Sequence, residues 1–325
     1  MKVLLVGPLP PPNGGISVHV MQTHRRLTAA GVTCEVLDPS RTRGKFVLAG
    51  KLARYASQGW EIQLHTNGHN TKSWLMALIC GTIARANGVP ASLTLHSGMV
   101  PQYVAGSTAG RALARLACSL QQHIVCVSPA IQEAIASLSL DRQVLRQRLE
   151  VRSAFTAPET PTVSLDQPLV QWMDNHSPLL STTLFFRPEY GFPLLVDAIA
   201  RLRQIYPSIG CVVMGSCEHG GDALERVRQA DIEENMLLLG DVEHECCLSV
   251  MAGCDLFVRP TLHDGDSISV REALALSVPV VASRTGNRPE GVHLFQPGNV
   301  DDLVAQALRV LLSEVGATTE RSVCA

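Results

Sequence analysis

The chain has 325 residues, 46% hydrophobic and 17% charged, with 27 Lys/Arg against 29 Asp/Glu. That is enough for two domains of about 100–200 residues, each with its own core. It excludes a disordered or membrane-spanning chain, since no apolar run approaches the roughly 20 residues a membrane helix needs. The net charge of −2 hides an asymmetry: residues 1–165 carry 16 Lys/Arg and 7 Asp/Glu, or +9, and residues 166–325 carry 11 and 22, or −11. The halves either present different surfaces to different partners or attract each other.

The opening "MKVLLVGPLPPP" has an apolar core too short for a signal peptide and reads as a buried first strand, so a cytoplasmic protein is expected. Further strands are expected at Thr33–Leu37, Glu61–His65, Ser92–His96, His123–Ser128 and Glu150–Arg152. Amphipathic segments such as "GISVHVMQTHRRLTAAG" and "SWLMALICGTIARANG" lie between them, with Gly31 and Gly88 placed as helix C-caps. Within the basic segment 41–58, Val47, Leu48, Leu52 and Tyr55 recur at helical spacing while Lys45, Lys51 and Arg54 lie largely opposite. Such a helix is either an ordinary surface helix or one that lies on an anionic membrane surface.

The proline-bearing, weakly hydrophobic segment Thr156–Pro168 reads as an interdomain linker. Alternation then resumes. Strands are expected at Leu180–Phe186, Gly210–Met214, Met236–Leu239, Asp255–Val258 and Val278–Ala282, and helices at Phe192–Ile205, Asp222–Ala230, Glu245–Ala252 and Val300–Leu312. The pattern predicts an α/β protein of two tandem Rossmann-like, doubly wound parallel-sheet domains facing a cleft, with domains at 1–160 and 161–325.

The ten cysteines include no C-x-x-C pair. The dense Cys/His patches are "SCEHGG" (Cys217, His219) and "EHECC" (His244, Cys246, Cys247). A zinc site built from both competes with the preferred reading of reduced structural thiols, so no metal is expected.

Ligands of open parallel sheets bind beyond the carboxyl ends of the strands. After the first strand, Gly14 and Gly15 allow a helix N-terminus to approach a phosphate, although neither G-x-G-x-x-G nor the P-loop pattern is present. His96 ends a strand, where it either meets a substrate hydroxyl or is simply a satisfied histidine. Arg187, in "FFRPEYGF", either clamps a phosphate or is an ordinary surface arginine. Gly215 follows the next strand in "MGSCEHGG", and Arg259 ends "DLFVRP". The stretch "LFVRPTLHDGDSISVREALALSVPVVASRTGNRPEG" is richest. Asp266 or Ser267 can cap the helix that follows, and the amides of Gly265 to Ser267 can meet an anion. Glu272, inside the otherwise weakly polar "ISVREALALS", is suited to accept hydrogen bonds from vicinal hydroxyls. A sugar nucleotide satisfies both sets of groups.

Together, "NGGISVHVMQTHRRLTAAGVTCEVL", "IVCVSPAIQEAI" and "REALALSVPVVASRTGNRPEGV" resemble the retaining, nucleotide-sugar-dependent glycosyltransferases of the GT-B fold, the family 4-like group with the E-x7-E motif. The resemblance implies that Glu272 binds the ribose hydroxyls and that Asp264, in the place of the first glutamate, contacts the donor sugar. It implies that Gly265–Ser267 supply backbone near sugar and phosphate, that His96 lies near the transferred sugar, and that Gly15 contacts the diphosphate. The Arg-and-Lys pair for the diphosphate falls on about Phe185 and Tyr190, leaving Arg187 or Arg259 to substitute. The last expected helix ends at Leu312, short of the further helices the resemblance implies.

A metal-independent, retaining glycosyltransferase is therefore expected, with a UDP-sugar as the favoured donor and no other cofactor. Its acceptor would be anionic, lipid-linked or a small natural product, not nucleic acid. Peripheral membrane contact would run through residues 41–58. The alternatives are an inactive or partner-dependent sugar-nucleotide-binding subunit, or an epimerase or hydrolase on the same fold.

Overall fold

The computed structural model describes residues 1–138, 146–157, 163–216 and 221–323. It divides into two units, Met1–Thr156 with Asp264–Asp266, and Ala157–His263 with Ser267–Ala325. Residues 158–162 of the expected linker, and Cys217 and His219 of the first Cys/His patch, lie outside the described residues.

In the first unit, β1 (Lys2–Val6), β2 (Thr33–Leu37), β3 (Glu61–Thr66), β4 (Ala91–Leu95), β5 (His123–Cys126) and β6 (Leu149–Val151) form one sheet in the order β2-β1-β3-β4-β5-β6. Every pairing is parallel. Val3, Leu4, Leu5 and Val6 are buried, as expected of a strand covered on both faces. Several of the helices in this unit start on polar caps. Asn70 accepts from the Ser73 amide ahead of α3 (Thr71–Ala86), and Ser107 from the Gly110 amide ahead of α5 (Thr108–Ser119). Gly31 and Gly88 take left-handed φ of 76° and 67° just past helices α1 (Gly15–Ala29) and α3, as the sequence indicated.

The chain reverses direction across the sheet between β1 and β3, so the loops after these strands diverge and leave room for a ligand at their carboxyl ends. Asp38, just after β2, braces the β1 loop by accepting from the Leu9 amide at 2.9 Å, the Ser40 amide at 2.8 Å and the Ser40 hydroxyl at 2.6 Å. Burial opposes its charge, but these hydrogen bonds and Arg41 hold the carboxyl below its ordinary range.

Helix α2 (Lys45–Ser57) buries Leu48, Leu52 and Ala56. That corrects the expected apolar face. Val47 points outward, and Phe46 is 93% exposed. The stripe follows the i, i+4, i+8 spacing, in which Ala56 counts and Val47 does not.

The second unit holds β7 (Leu179–Thr183), β8 (Gly210–Met214), β9 (Met236–Gly240), β10 (Leu256–Arg259), β11 (Val280–Ser283) and β12 (Val292–Phe295), ordered β12-β11-β10-β7-β8-β9. All pairings are again parallel. Two sheets of six parallel strands with interleaved helices match the expected fold class. Two details differ. Pro168 begins helix α7 (Gln167–Asp174) rather than closing a linker, because proline suits the first helical turn. Strand β12 was unforeseen. It is four residues long, carries an exposed His293, and forms by pairing with β11.

Candidate functional site

In the second unit the sheet reverses order between β7 and β10, and the site is built from the loops that diverge there. The chain leaving β7 makes a single 3-10 turn, Pro188–Tyr190, and crosses close to the chain leaving β10. The Leu262 amide donates to the Glu189 carbonyl at 2.8 Å. At Gly191 (φ 71°) a Cβ would come within 2.0 Å of the Pro260 carbonyl oxygen, so a side chain there would force the two loops apart.

This crossing fixes Arg259, the last residue of β10. It is only 8% exposed, donates to the Thr183 carbonyl, and holds its guanidinium carbon 5.2 Å from the centre of the Tyr190 ring. Tyr190 is the residue in the expected lysine position. Arg187 is exposed and lies 5.6 Å from the Phe185 ring centre. The two arginines thus differ in kind. One is held in place by backbone and ring, and the other is a surface side chain.

Helix α11 (Ile268–Ala275) follows β10 and is capped by Ser267, whose hydroxyl accepts from the Val270 amide at 3.4 Å. Glu272, within it, is 3% exposed and accepts from His244 Nε2 at 2.7 Å. His244 is the first residue of helix α10 (His244–Ala252), which packs against α11. At the end of β11, Arg288 donates to the Thr261 and Thr285 hydroxyls at 3.1 and 3.2 Å and to the Ser283 carbonyl at 3.1 Å. Carboxylate, imidazole and guanidinium groups therefore stand along the carboxyl edge of this sheet. They suit a ligand that carries both hydroxyls and negative charge.

His244 and Arg288 were missed as site residues. His244 belonged to the patch weighed as zinc-binding, but its partner is Glu272, and Cys246 and Cys247 are free thiols. Gly215 has a sheet role. Its φ is 138°, and a Cβ there would meet the Leu184 carbonyl oxygen at 1.8 Å.

In the first unit, Ser17 organises the glycine loop by accepting from the Gly14 amide at 3.0 Å and donating to the Pro12 carbonyl at 2.7 Å. Gly15 is the first residue of α1. Just beyond β4, His96 meets His65 and His19. Its Nε2 is 3.4 Å from His65 Nδ1, and its ring centre is 5.3 Å from that of His19. Burial pushes the His65 imidazole down to about 3 and His96 well below its ordinary range, with the neighbouring imidazoles adding to it; His19 is lowered chiefly by burial. All three rings are neutral at pH 7.

The segment Asp264–Asp266 belongs by its contacts to this first unit, whereas Glu272 belongs to the second. Its backbone lies against that of His96–Gly98: a Cβ on Gly265 would meet the His96 carbonyl oxygen at 2.3 Å, and one on Gly98 the Asp264 carbonyl oxygen at 1.8 Å. The Asp264 carboxylate accepts from the Gly265 amide at 3.0 Å. Asp266 does not cap the helix as one reading expected. It accepts from the Ser153 hydroxyl, and Ser267 takes the cap.

Residues 179–313, in the second unit apart from Asp264–Asp266, match the family model described as glycosyl transferases group 1. The chain is 28% identical over 131 residues to an MMP alpha-(1->4)-mannosyltransferase of Mycolicibacterium hassiacum, covering 38% of this chain and 32% of that protein. It is 25% identical over 210 residues to the phosphatidylinositol N-acetylglucosaminyltransferase gpi3 subunit of Schizosaccharomyces pombe, covering 64% of this chain and 43% of that protein. The chain thus spans less than half the length of these curated relatives. Its fold is that of Anabaena HepE, solved in complex with UDP-glucose, with a TM-score of 0.70 at 17% identity over 98% of this chain and 91% of that one. The family match covers residues 179–313, and the likeness to HepE is one of fold.

Removing His244 leaves the buried Glu272 carboxylate unmatched, which costs about 1–3 kcal/mol. In urea titrations of His244→Ala, Glu272→Ala and the double variant, the two losses are expected to be non-additive by at least about 0.5 kcal/mol. Simple additivity would show that the pair is not coupled.

Proposed function

We propose that the chain transfers a sugar from a nucleotide diphosphate sugar to an acceptor hydroxyl or amine, with retention at the anomeric carbon. UDP is the preferred nucleotide. The observation that carries this reading is the buried Arg259, placed with Glu272 on the carboxyl edge of the sheet, within the segment that matches the glycosyl transferase family. In this reading Glu272 accepts from the ribose hydroxyls, and Arg259 replaces the missing Arg/Lys pair on the diphosphate. Arg187 is left as a peripheral cation. Gly15, Asp266 and Ser267 bring backbone amides to the phosphates and sugar, while the Gly14 and Gly265 amides are taken by Ser17 and Asp264 and hold the turns that present them.

No protein nucleophile is assigned. The leaving diphosphate would activate the acceptor on the same face of the sugar, while neutral His96 and Asp264 orient the transferred ring. Side-chain cations and helix amides take the developing charge, so donor handling requires no metal. One preorganised donor of this kind is worth about 2.7–4 kcal/mol where it has been measured. Gly215 is better explained by its packing on Leu184 than by ligand contact.

The basic first half supports an anionic or lipid-linked acceptor, and so does the phosphatidylinositol in the name of the Schizosaccharomyces pombe relative. No helix among the described residues is long and apolar enough to cross a membrane. A cytoplasmic enzyme that docks peripherally through segment 41–58 fits these facts. There Phe46, 93% exposed, would insert between Lys45 and Lys51. A partner-dependent enzyme is the second reading, because the same relative is named as one subunit.

Calorimetry with UDP and uridine separates the assigned roles. Arg259→Ala is expected to weaken UDP about 10- to 100-fold, the value of a charge-assisted hydrogen bond, while sparing uridine. Glu272→Ala should weaken both ligands, and Arg187→Ala should change neither greatly. Loss of UDP on Arg187→Ala alone would move the phosphate site to that residue. NMR of a transfer product should show the donor's anomeric configuration, and an inverted product would rule out the retaining mechanism. UDP binding without turnover would favour the partner-dependent reading.

Cosedimentation with phosphatidylserine vesicles tests the membrane contact. Phe46→Glu and Lys51→Glu should each release the protein from the pellet. Wild-type protein that stays in the supernatant would remove the membrane assignment.

A further inference from the structure

Three imidazoles from three separate elements converge at the carboxyl edge of the first unit's sheet, at its point of reversal: His19 on α1, His65 on β3 and His96 just beyond β4. One ring nitrogen from each lies within 4.8 Å of the other two. The 3.4 Å between His96 Nε2 and His65 Nδ1 is near the edge of a tetrahedron whose metal–nitrogen bonds are about 2.0–2.1 Å long. The tautomer of His19 is fixed: its Nδ1 donates to the Ala154 carbonyl at 2.7 Å, which leaves Nε2 as the lone-pair nitrogen, with the Thr23 hydroxyl 3.5 Å from it.

A closed network of hydrogen bonds does not account for the cluster. His65 is 6% exposed, yet its Nε2 has no hydrogen-bond partner. The unpartnered atom is the other nitrogen of the ring from the one that faces His96, so it adds a buried polar group that the fold leaves unmet and is not itself part of the ligand set. Neutral imidazole is the form that binds metal.

We infer that His19, His65 and His96 form a binding site for one divalent transition-metal ion of the zinc class. Three imidazoles select zinc, cobalt, nickel or copper over magnesium or calcium, and they leave a fourth position for water or a ligand oxygen. The site is distinct from the diphosphate contacts assigned to the second unit. It shares His96 with the proposed transfer reaction, so an ion held there would draw that ring away from the sugar. The test reads metal and not turnover, so either reading can fail without the other.

Purified full-length protein, stripped with chelator, is titrated with Zn2+ by calorimetry and with Co2+ by visible absorption. The expected result is one equivalent bound, with tetrahedral Co2+ bands and no thiolate charge-transfer band. His19→Asn and His65→Asn should each abolish that equivalent, and the exposed His293→Asn should keep it. X-ray absorption on the zinc-loaded wild type is expected to show imidazole scattering from three rings and no sulfur, a readout that does not depend on any variant folding. Absence of stoichiometric binding, sulfur in the first shell, or full binding by both His19→Asn and His65→Asn would overturn the inference.

Discussion

The second unit's chemistry depends on one constraint, the close crossing of the chains that leave β7 and β10. Gly191 passes so near Pro260 that only hydrogen fits between them, and the Glu189 carbonyl is bonded to the Leu262 amide. The crossing brings Tyr190 against Arg259 and buries a guanidinium that would otherwise sit in solvent. It also sets where the chain turns into the helix bearing Glu272. A parallel sheet whose strand order reverses must open a gap at the reversal. Here the gap is lined by groups of opposite charge on neighbouring elements, an arrangement suited to a ligand that is anionic at one end and hydroxylated at the other.

The first unit solves a different problem with the same topology. Its reversal lies between β1 and β3, and the groups gathered there are uncharged imidazoles and main-chain amides. The Asp38 brace and the Ser17 bonds hold the glycine loop, so the start of α1 and His19 are positioned together. Crowding three histidines beside one another, one of them buried, is costly if the rings are charged, and desolvation favours their neutral form.

The alternation of strand and helix was legible because parallel strands buried on both faces read as unbroken apolar runs, as in Val3–Val6. Strand β12 was not, since its four residues gain their status from pairing with β11. The face of α2 was misjudged by a step: Val47 and Leu48 look alike in sequence, and only packing distinguishes them. Glu272 stood out as an acid in a weakly polar helix. His244 did not, because it reaches Glu272 across 28 residues through the packing of two helices. Asp264 and Asp266 were legible as acids near a helix start, but their membership of the first unit could not be read from their place in the chain. The cluster of His19, His65 and His96 is likewise invisible to spacing, since three separate elements must fold before the rings meet.

The most direct measurement is a crystal structure of the protein with bound UDP. The account predicts the ribose hydroxyls at the Glu272 carboxylate and the diphosphate beside the Arg259 guanidinium. A nucleotide bound elsewhere, or bound in the second unit with its ribose turned away from Glu272, would contradict it.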